Sequence, residues 1–494
     1  MIGLLALRNL MYRPWRSVFL FAGYGVGVAV MIVLLSIGEA LLTQARDERL
    51  VGGGEITILP EGIDVEVMKT GGLGGLFFSI GNAAFIHRQL LASPRLRDVV
   101  RAVSPQIEDK LLYLRVNGRE FPVSAVGEVP SATRAVGAAP ELASGAWNDD
   151  DRDRRWLSPT PAELRHDVDH FHMPPAELAL SGSWGEWHYF NVLSDDGRRW
   201  AFLSFIIGGD VRGDAWGGQV LITTHEQGGR FRRFAATFPR ESVRFSTASA
   251  DLKIGTSSVT VLPDGRYAVH AVAREEGGGT LTADLTVSPA PGAYFPGVSL
   301  GSDDFVSGYA VAAMRADATG SICLDGRCER YDAAQSYHDH NWGVWSGVTW
   351  EWGAARAADF TILYGRVNPP DRIDAASSLF LFLVDSLGFR SVFRPATVTY
   401  TEGRTTVVDG KTVGVPARAV LADARGGDTL RVELEIEDAT ATDMRRSAVE
   451  RGEPGAGSMQ KPYFVQMKGR ARISGRVGGQ VVRGEGRGFF ETYR

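Results

Sequence analysis

The C-terminal two thirds of this 494-residue chain consists of short β-type runs separated by turn signals. From Glu177 onward, runs rich in valine, threonine, phenylalanine and tyrosine meet at Asp196-Gly197, Asp264-Gly265, Glu402-Gly403 and Asp409-Gly410. An Asp-Gly pair between such runs is a typical signal of a two-residue β-hairpin. Because no helical period separates the runs, antiparallel barrels or sandwiches are predicted.

The length of this β region indicates how many domains it forms. About 320 residues are more than one antiparallel barrel usually requires. We therefore predict a mainly β fold with two consecutive antiparallel domains, residues 176–348 and residues 349–494.

Near the N-terminus lies an uninterrupted apolar segment. Residues 17–38, SVFLFAGYGVGVAVMIVLLSIG, contain no charged side chain. As a helix they would extend about 33 Å, which is enough to cross the hydrocarbon core of a membrane. A cleaved signal peptide is the alternative, but its apolar part usually has only about 7 to 15 residues. A transmembrane helix over residues 17–43 is therefore predicted.

The charges beside this segment predict its orientation. Arg8, Arg13 and Arg16 precede it, whereas Glu39 follows it. Basic residues are enriched on the cytoplasmic side of membrane spans. We therefore expect residues 1–16 in the cytoplasm and, after a single pass through the inner membrane, the bulk of the chain in the periplasm.

Composition and motifs exclude several functions. The formal net charge of -5 provides no basic surface, so a nucleic-acid partner is not expected. GGLGG at residues 71–75 lacks the strand-to-helix context of a phosphate-binding loop, and no Gly-x-Ser-x-Gly nucleophile motif occurs. We expect no cofactor.

The two cysteines form a single unit, Cys323-Leu-Asp-Gly-Arg-Cys328. The Asp325-Gly326 pair predicts a hairpin turn that places both cysteines at one non-hydrogen-bonded rung. Cα atoms there come within about 4.5 Å, a distance that a disulfide tolerates. A zinc pair is the alternative, but other thiols are lacking. A disulfide is predicted.

Residues 146–175 are polar and rich in alternating charges and prolines, which is typical of a linker. The segment ends in HDVDHFHMPP, where His166, His170 and His172 resemble a metal cluster in composition. No defined helix or hairpin brings these rings together, so a surface lead-in is the preferred interpretation.

The segment SYHDHNWG, residues 336–343, concentrates polar and aromatic side chains. In a β-strand, successive side chains point to opposite faces. The predicted faces are Tyr337, Asp339 and Asn341 on one side, and Ser336, His338, His340 and Trp342 on the other. A cross-strand ladder that serves only stability is an alternative to function. Two histidines alone do not make a metal site, so none is expected.

Asp339 is the candidate acid in this segment. Apolar burial favours the neutral form of a carboxyl group and raises its pKa, so the group would hold a proton at neutral pH and deliver it. Ring faces of nearby tryptophans would stabilise the positive charge that forms when a carbon-carbon double bond is protonated. The candidate tryptophans are Trp184, Trp342, Trp350 and Trp352.

SYHDHNWG followed by TWEWG resembles the signature of the carotenoid 1,2-hydratase group, also called hydroxyneurosporene synthases. SGSWGEWHYFNVLSDDGRRWAF, residues 181–202, resembles the opening strand of that family, and GEGRGFFETYR its closing strand. The likeness extends over residues 165–494. It implies two lipocalin-like β domains that meet at a hydrophobic cleft, and cofactor-free addition of water to a terminal isoprenoid double bond.

The resemblance also implies roles for individual residues. Asp339 would be the proton donor, and Tyr337 and His338 would shape and polarise it. The implied ligand-binding residues are His340, Asn341, Trp342, Trp350, Trp352, Trp184, Trp187 and Tyr189.

The N-terminal 130 residues resemble a different family. LLALRNLMYRPWRSVFLFAGYGVGVAVMIVLLSIGEAL is similar to the first transmembrane helix of ABC-exporter permeases of the macrolide-exporter and lipoprotein-release type. Residues 44–145 are similar to the start of their periplasmic domain, which implies a partial α+β segment. That family needs three further spans, which this chain lacks.

Two functions are therefore predicted as alternatives. The first is a membrane-anchored hydratase or cyclase that acts on an isoprenoid or a similar lipid. The second is a non-catalytic lipid-binding accessory subunit of an ABC export system, with the permease and ATPase subunits as partners. Both functions require a hydrophobic small molecule as the ligand.

Overall fold

The structure is a computed structural model. It describes residues 12, 14–47, 56–58, 79–137, 147–178, 181–194, 196–226, 231–275, 278–302, 305–370, 378–408, 410–444 and 461–494. The glycine-rich segment 71–75 lies outside these residues.

The chain divides into two compact units. The first comprises Met1–Phe78 and Val100–Asp150, and the second comprises Ser79–Val99 and Asp151–Arg494.

The first unit contains a long N-terminal helix, α1, Pro14–Asp47. Its part Pro14–Ile37 is long and apolar enough to cross a membrane, and its described side chains are largely exposed. The length and composition of the helix agree with the predicted span, while its orientation stays a prediction.

The first unit also contains a two-stranded antiparallel hairpin, β1 Gln106–Val116 and β2 Arg119–Glu128. Asn117 and Gly118 connect the strands with φ of 50° and 77°. Positive φ at both central residues is what a tight hairpin turn requires, and the Asn-Gly pair supplies it. A short helix, α3 Pro130–Ala135, follows the hairpin.

Among the described residues, three α-helices belong to the second unit: α2 Ile80–Ala92, α4 Asp151–Leu157 and α5 Pro161–Asp169. Helix α5 begins with a capping box, in which the Thr160 side chain accepts from the Glu163 backbone N–H and the Glu163 carboxylate accepts from the Thr160 N–H. Helix α2 falls within the segment predicted to be permease-like, but it groups with the second unit.

Twelve antiparallel strands form the first sheet of the second unit. They are β3 Trp184–Leu193, β4 Arg199–Gly209, β5 Trp216–Glu226, β6 Arg232–Pro239, β7 Val243–Ser246, β8 Ser249–Ile254, β9 Ser257–Val261, β10 Tyr267–Arg274, β11 Thr280–Pro289, β12 Phe295–Ser302, β13 Phe305–Leu324 and β14 Arg327–Val344. Their order is β11-β13-β14-β3-β4-β5-β6-β10-β9-β8-β7, with β12 paired to β13. Because β10 also pairs with β11, the sheet curls and closes on itself.

Nine antiparallel strands form the second sheet, in the order β18-β17-β16-β15-β23-β22-β21-β20-β19. They are β15 Thr349–Ala357, β16 Phe360–Asn368, β17 Phe380–Asp385, β18 Gly388–Phe393, β19 Thr399–Val408, β20 Lys411–Arg425, β21 Asp428–Asp443, β22 Tyr463–Val477 and β23 Gln480–Tyr493. The prediction of a mainly β fold, with few helices and one apolar N-terminal helix, is confirmed by these two large curled sheets.

The predicted turns at Asp196-Gly197 and Asp264-Gly265 are present, and Asp409 of the predicted Asp409-Gly410 turn lies outside the described residues. Asp325 and Gly326 have φ of 49° and 80° between β13 and β14, and Cys323 faces Cys328 with Cα atoms 3.9 Å apart and a disulfide between them. Glu402-Gly403 is not a turn, because β19 runs through it. The register of β19 against β20 shifts at this point, which is typical of a β-bulge.

The interpretation of HDVDHFHMPP as a surface lead-in is wrong. Asp169 and Phe171 are completely buried among the strands of the first sheet. Helix α5 ends at Asp169 and leads the chain into the curled sheet. The Asp169 carboxylate therefore has histidine side chains as its partners there in place of water.

Buried apolar side chains form three clusters. One lies within the first sheet and one within the second. The third includes residues of both sheets, such as Tyr189, Tyr337, Trp352 and Phe489, and is rich in aromatic rings. This inter-sheet cluster contains the segment that the sequence singled out.

Candidate active site

The segment 336–343 lies within β14, between β13 and β3. Residues 336–340 are all buried, because β14 is covered on both faces. Asp339 pairs across the sheet with Tyr189, and His338 pairs with Phe190. The alternation of side chains sends Tyr337, Asp339 and Asn341 to the inter-sheet cluster and His338 and His340 to the interior of the first sheet.

Asp339 is held at the inter-sheet face by two donors. The Tyr337 hydroxyl donates to its Oδ2 at 2.8 Å, and the Asn341 amide donates to its Oδ1 at 2.7 Å. The side chain is 4 % exposed. In the described part of the chain, no arginine or lysine lies within ion-pair distance of it.

Trp352 fixes the direction of the Tyr337 hydroxyl. Its indole Nε1 donates to the Tyr337 oxygen at 2.8 Å. Since that oxygen accepts from Trp352, its own proton points to Asp339. Strand β15 of the second sheet therefore orients the tyrosine that contacts the acid on the first sheet.

Burial raises the pKa of Asp339 to about 8. The hydrogen bonds from Tyr337 and Asn341 favour the ionised form and oppose this rise, while the charge of Glu491 adds to it. At pH 7 the neutral carboxyl group is therefore favoured by about ten to one.

Glu491 is a second buried carboxyl group in the same cluster, and the sequence reasoning missed it. Trp350 Nε1, the Tyr189 hydroxyl and Gln466 Nε2 donate to it at 2.9, 3.0 and 3.3 Å. Burial raises the pKa of Glu491, and these three donors oppose the rise. A lone acidic residue in the aromatic run GFFETYR was the available signal.

Several predicted ligand-binding residues do surround this carboxyl pair. Trp187 packs on Trp345 with ring centroids 4.7 Å apart, and Trp345 packs on Trp350 at 5.8 Å. Tyr189 and Trp352 belong to the same cluster. The residues that the structure brings together on this face are Tyr337, Asp339, Asn341, Trp187, Tyr189, Trp350 and Trp352.

Four predicted site residues lie elsewhere. The role predicted for His338, to polarise Asp339, does not fit, because its Nδ1 donates to the Tyr189 carbonyl at 3.0 Å and its Nε2 lies 2.8 Å from Asp169 Oδ2. Trp342 stacks on His172 with centroids 3.8 Å apart, and Trp184 Nε1 donates to Glu186. The residues on the opposite face of the first sheet are His338, His340, Trp342 and Trp184.

These side chains belong to a buried histidine–carboxylate network. Asp169 Oδ1 lies 3.1 Å from His340 Nδ1 and 3.6 Å from His188 Nδ1. His340 Nε2 lies 3.0 Å from Glu186 Oε1, which also contacts His172 Nδ1 at 2.9 Å. His188 Nε2 donates to the Ala250 carbonyl at 2.8 Å.

The network carries compensating charges. Burial would lower the pKa of His340, but its hydrogen bonds to Asp169 and Glu186 raise it to about 10. Burial would raise the pKa of Asp169, but the surrounding histidines hold it well below its usual value. Burial lowers the pKa of His188 to about 3, so that ring is neutral. An imidazolium between two carboxylates is the resulting arrangement.

Atoms of the metal-ligand type converge in this network. Those of Asp169, His188 and His338 lie within 4.8 Å of one another, and so do those of His172, Glu186 and His340. A third candidate ligand therefore does lie beside His338, contrary to expectation. Because Asp169 and Glu186 already have histidine partners, hydrogen bonding accounts for their burial, and the expectation of no metal stays a prediction.

The fold and the site together define a protein of two curled antiparallel sheets with a buried carboxyl pair between them, surrounded by aromatic rings. No protein-family model matches the chain, and no curated protein matches its sequence.

Solved structures do resemble it. The chain is similar to a candidate AttH protein from Nitrosomonas europaea, with 16% identity over 66% of this chain and 97% of that one, at a TM-score of 0.44. It is similar to kievitone hydratase from Nectria haematococca, with 14% identity over 66% of this chain and 94% of that one, at a TM-score of 0.39. It is also similar to CghA, with 14% identity over 63% of this chain and 88% of that one, at a TM-score of 0.38.

Proposed function

We propose that this protein is a membrane-anchored, extracytoplasmic lipocalin-like hydratase that adds water to a double bond of an isoprenoid-type lipid, or cyclises that lipid, by acid catalysis. The observation that carries the proposal is Asp339, a carboxyl group that burial keeps neutral at pH 7 beside a tyrosine and a wall of indole rings. The resemblance of SYHDHNWG to the carotenoid 1,2-hydratase signature supports the same reaction.

Asp339 supplies the proton. The O–H bond of its neutral carboxyl group breaks as a C–H bond forms on the substrate double bond, which leaves a carbocation and an Asp339 carboxylate. The donors already in place, Tyr337 and Asn341, stabilise that carboxylate, so little rearrangement is needed when the proton leaves. The rings of Trp350 and Trp352 stabilise the cation.

Glu491 completes the addition. Burial raises the pKa of Glu491 as well, but three donors stabilise its carboxylate, against two for Asp339, so we assign Glu491 as the base and Asp339 as the acid. A water molecule adds to the cation and loses a proton to the Glu491 carboxylate. Proton exchange with solvent then returns both groups to their starting states.

The membrane helix would hold the enzyme next to a substrate that lies in the bilayer. A lipid substrate resides in the bilayer, and α1 would anchor the enzyme beside it. The permease-like resemblance of residues 1–130 supports an ABC-type permease as a neighbour in the membrane. We assign residues 176–348 and 349–494 as the two lipocalin-like domains.

The test begins with the lipids that co-purify with the full chain in detergent. Incubation in ¹⁸O-labelled water is expected to convert one of them into a product that carries a single ¹⁸O atom, detected by mass spectrometry. Incubation in deuterated water should place deuterium on the adjacent carbon, as protonation by a carboxylic acid requires. Cyclisation would place deuterium without ¹⁸O. Bound lipid that gains neither label would contradict catalysis and leave the carrier function.

The turnover rate should depend on pH through Asp339. Because the neutral Asp339 carboxyl group is the active form, the rate is expected to fall tenfold per unit above about pH 8. Tyr337→Phe removes a donor that stabilises the ionised form, so the fall should move to higher pH. Glu491→Gln removes the base and lowers the overall rate, and it also removes a charge that raises the pKa of Asp339, so the fall of the remaining rate should move to lower pH. A fall at the same pH in both variants would exclude Asp339 as the titrating group.

A further inference from the structure

Two arginine side chains act on one buried hydroxyl group beside the first sheet. Arg165 lies on α5 and is 6 % exposed, and its guanidinium carbon lies 6.0 Å from the ring centroid of Tyr294. Arg88 lies on α2. Burial raises the pKa of the Tyr294 hydroxyl, and the charges of Arg88 and Arg165 both oppose that rise, so both cations lie close to this group. Two like charges at one place repel each other unless an anion compensates them.

Backbone carbonyl groups are the hydrogen-bond partners of these two cations. Arg165 Nη1 donates to the Ala312 carbonyl at 2.7 Å, and Arg88 Nη2 donates to the Trp156 carbonyl at 3.2 Å. A carbonyl oxygen accepts a hydrogen bond but does not neutralise a charge. Among the described residues, no carboxylate lies within ion-pair distance of Arg88 or Arg165.

The acids beside Arg165 on α5 have other partners. Glu163 and Asp167 contact Arg155 at 3.6 and 3.0 Å. Asp169 lies one turn further along the helix and has histidine side chains as its partners. Burying a cation without an adjacent opposite charge is costly, so an anion bound beside Arg165 would stabilise the fold.

Three polar atoms in this cluster have no hydrogen-bond partner. They are Nε of Arg88, Nε of Arg165 and the hydroxyl oxygen of Tyr294, and all three are buried. An arginine Nε–H can only donate, and a tyrosine hydroxyl can donate as well. A buried donor without an acceptor is costly. The cluster therefore favours a bound acceptor, and the two guanidinium groups favour one with a negative charge.

We propose that Arg88, Arg165 and Tyr294 form a binding site for a chloride ion. The ion would compensate the two guanidinium groups and accept from both Nε–H groups and from the tyrosine hydroxyl. A monatomic anion suits the site, because Tyr294 is 3 % exposed and its ring packs on that of Phe85 with centroids 5.2 Å apart. A water molecule would accept from the donors but would leave both charges uncompensated. This site is separate from the proposed catalytic function, because its residues lie outside the inter-sheet cluster.

The test measures whether chloride stabilises the full chain in detergent at pH 7. Sodium chloride replaces sodium gluconate at constant ionic strength, and the midpoint of urea unfolding is followed by tryptophan fluorescence. Chloride at ten times its dissociation constant would favour the folded form about tenfold. The midpoint is therefore expected to rise as chloride replaces gluconate, and Arg88→Met should abolish this response. Arg97→Met, at an exposed position shortly after α2, is the matched control and should keep the full response.

Tyr294→Phe gives a second measurement if Arg88→Met fails to fold. It keeps the aromatic ring but lacks the hydroxyl donor, so it should weaken chloride binding several-fold. A wild-type midpoint that is the same in chloride and gluconate would show that water alone occupies the site and would overturn the proposal. An undiminished response in Arg88→Met, or in Tyr294→Phe where Arg88→Met does not fold, would overturn it as well.

Discussion

Asp339→Asn is expected to lower the hydration rate by about 10²- to 10⁴-fold, the range that a positioned general acid typically contributes. Asparagine matches aspartate in size and still accepts from Tyr337 through its carbonyl oxygen, but it has no acidic proton to transfer. Binding of the lipid should persist, because the aromatic walls that surround the substrate are unchanged. The measurements are the initial rate of ¹⁸O incorporation and the amount of lipid that co-purifies.

A matched control comes from the same strand. Asp332 lies on β14 but is exposed, so Asp332→Asn should leave both the rate and the bound lipid unchanged. An unchanged hydration rate in Asp339→Asn would remove Asp339 from the mechanism. Loss of bound lipid together with activity would instead indicate a structural role for this carboxyl group.

Asp169→Asn is expected to reduce the free energy of unfolding by about 3–5 kcal/mol, because it removes one partner from a buried charged network. His340 would keep Glu186 but lose the Asp169 carboxylate, and His338 Nε2 would lose its charged acceptor. Urea unfolding followed by tryptophan fluorescence would measure the change.

An exposed Asp–His pair on the same sheet provides the comparison. Asp284 contacts His270 at 2.6 Å, and both side chains are solvent-exposed. Asp284→Asn should therefore cost less than about 1 kcal/mol. If Asp169→Asn also lowered the free energy of unfolding by less than about 1 kcal/mol, the buried network would stabilise the fold no more than an exposed ion pair does.

The pH dependence of the Asp169→Asn effect follows from the pKa shifts in the network. The pKa of His340 is raised to about 10, so its charged form stabilises the fold fully below its ordinary value of about 6.5 and ceases to do so as the pH rises through about 10. The pKa of Asp169 is lowered, so its contribution is present above about pH 4 and is lost in stronger acid. The difference between wild type and variant should thus be largest between about pH 4 and 6.5.

Local patterns account for what could be predicted. The Asp325-Gly326 turn sets the register of β13 against β14, so the pairing of Cys323 with Cys328 follows from six consecutive residues. Alternation along β14 separates Asp339 from His338 without any knowledge of the rest of the chain. The role predicted for His338 was wrong because it followed the family resemblance, although the alternation places the His338 side chain on the face opposite Asp339.

The amino-acid sequence by itself determined the apolar N-terminal helix, the β-rich remainder and the two-faced segment at 336–343, because each depends on the order of neighbouring residues. Only the tertiary structure decided what lies against each face of that segment. Glu491 comes from the last strand and Asp169 from the end of a helix before the first sheet, and no local pattern specifies such distant partners. Burial, which controls the pKa of Asp339, results from the packing of both sheets and therefore had to be observed.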